Sequence, residues 1–301
     1  MSSLKFVELG SEEEAVQLPS LPRQLTAAYC SGAPLLLPAA LPASISWLGL
    51  YDCGTPALPA QVAQLSRLRC LTLEACTYSP ASLNSLCSLA PTLTFLRLLR
   101  CQPPPVLAAL TALQNLRLES VPRAEGAAAQ QLDALLAQLQ QLTALLLQDS
   151  TGEVLPPAAA ALPLRRLAFL PSPARLNGPP PPLPPGAYLD TCSHLAARAA
   201  TLAASADVLK QASGLLYLCF ADYSGSSAFD ATNWRALRGV LSMLKGLVQV
   251  SFEPKCPSAF APLGLFDDIM WLRTKHPDLT VLRYGSADHA HATFLNHFKD
   301  D

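Results

Sequence analysis

The 301-residue chain carries 21 Lys+Arg against 22 Asp+Glu, a formal net charge of −1, and only 14% of it is charged. That balance offers no basic stripe for counterion release from nucleic acid, so no nucleic-acid partner is expected. Half of the residues are hydrophobic, enough for a sizeable core, whereas 28 prolines against 14 glycines argue against long uninterrupted helices.

The N-terminus, MSSLKFVELGSEEE, shows acidic residues where a secretory signal would place basic and apolar ones. The most apolar helix-like stretch, Leu195 to Leu209, carries Arg198 and Asp207, so no membrane span is expected. Nine cysteines form an odd set with no C-x-x-C pair, and no N-x-[ST] acceptor occurs. Free thiols in a cytoplasmic protein are the economical expectation.

Taken in chain order, the first twenty residues contain Ser11 and Glu14 at capping-box spacing and are expected to cap one end. A recurring phrase then dominates. Residues 65–76 read LSRLRCLTLEAC, 89–101 LAPTLTFLRLLRC, 110–121 LTALQNLRLESV and 139–150 LQQLTALLLQDS. With the first Leu of each L-x-L pair as anchor, the series is Leu25, Leu48, Leu71, Leu96, Leu116, Leu145, Leu167, Ala187, Leu218, Val250 and Leu282. Each L-x-L reads as a short strand of period two, both Leu pointing into a core. One such unit cannot bury its apolar face alone, so the units must stack.

The connections change along the chain. Early ones, such as TPALPAQVAQL, are short and proline-punctuated. Later ones carry helical spacing: Leu132, Leu135, Leu136, Leu139 and Leu142; Leu195, Ala199, Leu202, Ala206 and Leu209; Trp234, Leu237, Leu241 and Leu244; Leu263, Phe266, Ile269 and Met270. Ser79-Pro80 and Asp230 read as helix-start signals. Residues 171–186 form a proline-rich connection whose core, PSPARLNGPPPPLPP, suits an extended polyproline II path and a ligand role toward SH3 or WW domains.

This pattern resembles the leucine-rich repeat family, with longer repeats similar to the ribonuclease-inhibitor type toward the C-terminus. The resemblance implies an α/β fold: a curved right-handed solenoid of about eleven repeats over residues 21–301, a parallel sheet on its concave face and helices or irregular turns outside. It also implies a ladder of Asn or Cys just after each strand, where Cys30, Cys53, Cys76, Cys101 and Cys192 would stand. Parallel Cβ vectors in such a row suit neither disulfide nor metal geometry, so reduced thiols are expected.

Outward-pointing strand positions lie one before, one after and three after each anchor. They nominate Trp47, Tyr51, Glu74, Phe95, Arg97, Arg117 and Glu119 as a protein-binding face, because large aromatics and Arg are enriched at interface hot spots. Arg97 and Arg117 would share one column, with Glu74 and Glu119 in the next. Tyr188, Asp190, Tyr217 and Glu253 form a second candidate patch.

No nucleophile elbow, Walker sequence, dinucleotide fingerprint or zinc-protease motif occurs, so neither enzymatic activity nor a cofactor is expected. His289, His291 and His297 read as surface residues beside a terminal cap, with no metal. The expected role is a non-enzymatic scaffold holding another protein against the sheet. The resemblance leaves three alternatives: a ubiquitin-ligase substrate receptor without its own F-box, a cytoskeletal or axonemal component in the style of green-algal repeat proteins, and a GTPase-activating regulator using Arg97 or Arg117.

Overall fold

The computed structural model describes residues 5–10, 21–31, 41–52, 58–76, 78–79, 82–121, 127–149, 154–170, 182–222, 237–254, 274–275 and 279–283. The chain divides into two compact units, Met1–Leu142 and Thr143–Asp301. In the N-terminal unit six strands lie parallel in chain order: β1 (Phe6–Gly10), β2 (Ala27–Ser31), β3 (Trp47–Tyr51), β4 (Cys70–Glu74), β5 (Phe95–Leu99) and β6 (Asn115–Glu119). The C-terminal unit repeats the arrangement with β7 (Ala144–Gln148), β8 (Arg166–Leu170), β9 (His194–Ala197), β10 (Tyr217–Asp222), β11 (Gln249–Pro254) and β12 (Thr280–Arg283). Each unit is thus an α/β stack of leucine-rich repeats.

Leucine spacing produces this stack through the pleat. Ala28, Leu48, Leu71, Leu96 and Leu116 stand side by side, and so do Cys30, Leu50, Leu73, Leu98 and Leu118. All ten are buried, because residues two apart on a strand share a face. A third buried row, Leu25, Ile45, Leu68, Leu93 and Leu113, precedes the anchors by three. In the C-terminal unit Leu145, Leu167, Leu195, Leu218 and Val250 form the anchor row.

A backbone fork holds this register although the repeats differ in length. The carbonyl of Ser46 accepts from the N–H groups of both Arg69 and Cys70, that of Arg69 from Thr94 and Phe95, and that of Thr94 from Gln114 and Asn115. Thr143, Arg165, Ser193 and Leu216 do the same in the C-terminal unit. Extra residues are therefore absorbed away from the strands. After several strands one residue takes positive φ: Asp52, Ala75, Arg100, Ser120 and Asp149, at 45° to 57°. Such a left-handed residue turns the chain sharply and drops the next side chain, Cys76, Cys101 or Val121, into the core.

The connections follow the expected gradient. Tight 3₁₀ turns fill Val62–Gln64, Ser82–Leu89 and Pro105–Ala109. The α-helices come later: α1 (Ala127–Leu136), α2 (Pro157–Ala161), α3 (Tyr188–Thr191), α4 (Ala199–Ala204), α5 (Ala206–Leu209) and residues 237–241. Ser79 acts as the expected cap, its Oγ accepting from the Ser82 N–H at 3.2 Å. Among the described residues no helix is long and apolar enough to cross a membrane.

Several sequence expectations need correction. Within residues 1–20, Phe6–Gly10 is a strand paired to β2. Leu25 is not an anchor; Ala28 is, because the strand AAYCS lacks the leucine pair and the leucine lies three residues earlier. The anchor placed at Ala187 belongs at Leu195, within the strand HLAA and not within a helix. Val281, not Leu282, aligns with Val250. The expected cap at Ser11 and Glu14, and the helical positions at Asp230, Trp234, Leu263, Phe266, Ile269 and Met270, lie outside the described residues.

Candidate functional site

Opposite the leucine core, the N-terminal sheet presents three columns. The column before the anchors runs Phe6, Ala27, Trp47, Cys70, Phe95, Asn115. The column after them contains Tyr29, Gly49, Thr72, Arg97 and Arg117; the far column contains Ser31, Tyr51, Glu74, Leu99 and Glu119. Register therefore brings Trp47, Tyr51, Glu74, Phe95, Arg97, Arg117 and Glu119 onto one face.

The aromatic residues cluster toward β1. The Tyr29 and Trp47 rings stack with centroids 6.2 Å apart and 21° between planes, and Phe6 tilts against Trp47 at 6.3 Å. Gly49 makes room for this: a Cβ there would lie 2.5 Å from Tyr29 Cδ2 and 3.0 Å from Trp47 Cη2. Phe6 is 51% exposed, while Tyr29, Trp47 and Tyr51 are half-buried.

Charge gathers at the opposite end. Arg97 clasps Glu119 through two parallel bonds, Nε to Oε1 at 2.8 Å and Nη2 to Oε2 at 2.9 Å. Arg117 and Glu119 are 3% and 4% exposed, and the Arg117 guanidinium carbon lies 5.1 Å from the centre of the Phe95 ring, within cation–π range. Burial pushes the Glu74 carboxyl above the usual carboxylate range, an effect that nearby Arg97 opposes and Glu119 reinforces.

The thiols separate into three roles. Cys76 and Cys101 form the expected ladder: the Cys76 thiol donates to Leu50 O at 3.5 Å, the Cys101 thiol donates to Leu73 O at 3.5 Å, and Cys76 N–H donates to Cys101 Sγ at 3.4 Å. Cys30 does not belong to it; aligned with Leu50, it fills a core leucine position. Cys192, three residues before the anchor Leu195, does likewise, its thiol donating to His194 O at 3.1 Å. Burial raises the Cys30 thiol to about 11 and the Cys192 thiol to about 12. Cys70 and Cys87 lie outside both rows, half-buried and exposed respectively. Cys53 falls outside the described residues.

The second candidate patch does not assemble as expected. Tyr188 is fully buried in α3, its hydroxyl donating to Pro184 O at 2.9 Å, and Asp190 is exposed on the same short helix. Both precede the anchor Leu195 and belong to the connection before β9, not to the strand. Tyr217 does face outward, stacked on His194 with centroids 4.2 Å apart. Glu253 lies on β11, aligned with Ala221. The central column of this face, Leu146, Ala168, Ala196 and Cys219, is at most 2% exposed and forms an apolar cluster with Ala144. Of the proline-rich segment, residues 182–186 are described, and Leu183 is buried there. His289, His291 and His297 lie outside the described residues, and among those described no cluster of metal-ligating side chains occurs.

Sequence reasoning overlooked Phe6, Tyr29, Gly49 and His194. Phe6 and Tyr29 were hidden because their strands lack the leucine pair; the alternation of half-buried and buried positions along AAYCS emerges only in the fold.

No family description matches the chain, and no curated protein does. Among solved structures it is similar to an internalin of Listeria monocytogenes, at 15% identity over 86% of this chain and 67% of that one, with a TM-score of 0.39. It is also similar to a leucine-rich repeat protein of Leptospira interrogans, at 14% identity over 88% of this chain and 93% of that one, with a TM-score of 0.32. The repeat assignment itself rests on strand register and the buried leucine rows.

Proposed function

We propose that this chain is a non-enzymatic recognition scaffold whose protein partner docks on the outward sheet face of the N-terminal unit. One observation carries the reading: Phe6, Tyr29, Trp47 and Tyr51 occupy adjoining columns there, with Gly49 leaving space for the rings. Aromatics that keep their contact area without losing many rotamers suit an interface core. The arginines favour docking over a GTPase-activating role, since Arg97 is committed to Glu119 and Arg117 is buried beside Phe95.

The reading is tested by affinity capture with the intact chain and with a Phe6→Ala, Trp47→Ala, Tyr51→Ala variant whose melting curve shows it folded. Specific partners captured by the wild type should vanish from the variant. Retention of every captured partner would move the docking site elsewhere.

A further inference from the structure

β1 is the first strand of its sheet, and among the described residues no strand lies beyond it. Its backbone is committed on one side only. The Lys5 carbonyl accepts from the N–H groups of Thr26 and Ala27 at 3.1 and 3.0 Å, so it points toward β2. In a parallel ladder both backbone groups of a residue face one neighbouring strand, and those of the next residue face the other. Lys5, Val7 and Leu9 therefore serve β2, whereas the N–H and C=O groups of Phe6, Glu8 and Gly10 point off the edge.

The apolar stack is open on the same side. Val7 aligns with Ala28 at the head of the anchor row. It is only half-buried, whereas Ala28, Leu48, Leu71, Leu96 and Leu116 are at most 1% exposed. A strand laid against β1 would set one apolar residue beside Val7 and another side chain beside the ring of Phe6, which is 51% exposed. The backbone groups dictate the form of the occupant. They recur every two residues, ~6.6 Å apart, which matches an extended chain; a helix has already committed its own N–H and C=O groups internally. Such an edge is a template for strand addition. The edge is also continuous with the aromatic face, because Phe6 leans on Trp47 with centroids 6.3 Å apart, so one partner can engage both.

We infer that the open edge of β1 accepts an extended segment of a partner protein as an additional strand, bonded to the backbone of Phe6, Glu8 and Gly10, with apolar residues at alternate positions that continue the anchor row beyond Val7. The inference rests on the docking reading above and names how the partner engages: it covers the aromatic rings and adds a strand at the adjoining edge.

The experiment titrates the full chain with a synthetic peptide of residues 113–120, LQNLRLES, which carries one leucine pair, and with the same peptide bearing Leu116→Ser and Leu118→Ser. Saturable binding of the first peptide alone is expected. Glu8→Pro removes an N–H that faces off the edge and spares the bonds to β2, a placement in which a strand tolerates proline. It should weaken binding about tenfold or more and lose the partners captured by the wild type, while Glu8→Ala, which keeps the N–H, should retain both. In the wild type the peptide should slow amide hydrogen exchange at Phe6, Glu8 and Gly10, read by NMR; this arm decides the matter if Glu8→Pro does not fold. Absence of binding, equal affinity for Glu8→Pro, or unchanged exchange at those amides would overturn the inference. So would a concentration-dependent dimer abolished by Glu8→Pro, since the occupant would then be a second copy. If captured partners are lost with the aromatic variant but retained by Glu8→Pro, the docking reading stands and this inference falls; if both variants retain every partner, both fall.

Discussion

A double-mutant cycle on Arg97 and Glu119 tests whether the charged end of the sheet face is structural. The Glu119 side chain is 6% exposed and that of Arg97 29%, and two bonds of 2.8 and 2.9 Å join them. A fully exposed ion pair couples by about 0.2–1 kcal/mol, whereas hydrogen bonds to charged groups contribute about 1.5–3 kcal/mol. Because water still reaches Arg97, the coupling should fall at about 1–2 kcal/mol. Glu119→Gln should cost more than Arg97→Met, since it leaves the neighbouring guanidiniums of Arg97 and Arg117 without that carboxylate, whereas Arg97→Met leaves Glu119 beside Arg117 on the same strand face. Urea unfolding of the wild type, both single variants and the double variant, in a Trp234→Phe, Trp271→Phe background that leaves Trp47 as reporter, measures the coupling. A value below about 0.5 kcal/mol, or the reverse order of single-variant losses, would refute the argument.

Three further outcomes follow from the same structure. Gly49→Ala should change stability by less than about 1.5 kcal/mol, because the gain of about 0.5–1 kcal/mol from removing a strand glycine opposes lost ring stacking worth about 0.5–1.5 kcal/mol. It should nevertheless shift Trp47 emission, since the Tyr29 ring must move; unchanged emission would contradict the geometry. Leu73→Ala, at a fully buried site between Leu50 and Leu98, should destabilise the N-terminal unit by about 2–5 kcal/mol, measured by the same urea titration. Stability should fall as pH rises from the ordinary thiol value of 9.0 through about 11 for Cys30 and about 12 for Cys192. The sign follows because the folded state holds these protons more tightly than the unfolded chain, and each thiol adds a slope of about 1.4 kcal/mol per pH unit in that window. Stability that stays flat between pH 8 and 11 in a Cys87→Ser protein would count against buried neutral thiols.

What the amino-acid order determined by itself was periodicity. Repeated leucine pairs dictate short parallel strands with one apolar face, because side chains alternate along a strand and a single repeat cannot bury its own leucines. From Leu48 through Leu116 this was enough to place every strand and to name the outward residues from Trp47 to Glu119 correctly. Where the leucine pair is missing, as in AAYCS and HLAA, the pattern misled. There the backbone fork from the neighbouring repeat, not the local spelling, sets the register. Tertiary structure alone decided that Cys30 and Cys192 fill leucine positions, that Tyr188 is buried, and that Phe6 and Tyr29 join Trp47. These outcomes depend on which residue of the adjacent strand stands alongside, and a hydrogen-bonded neighbour fixes that alignment where local sequence leaves it open.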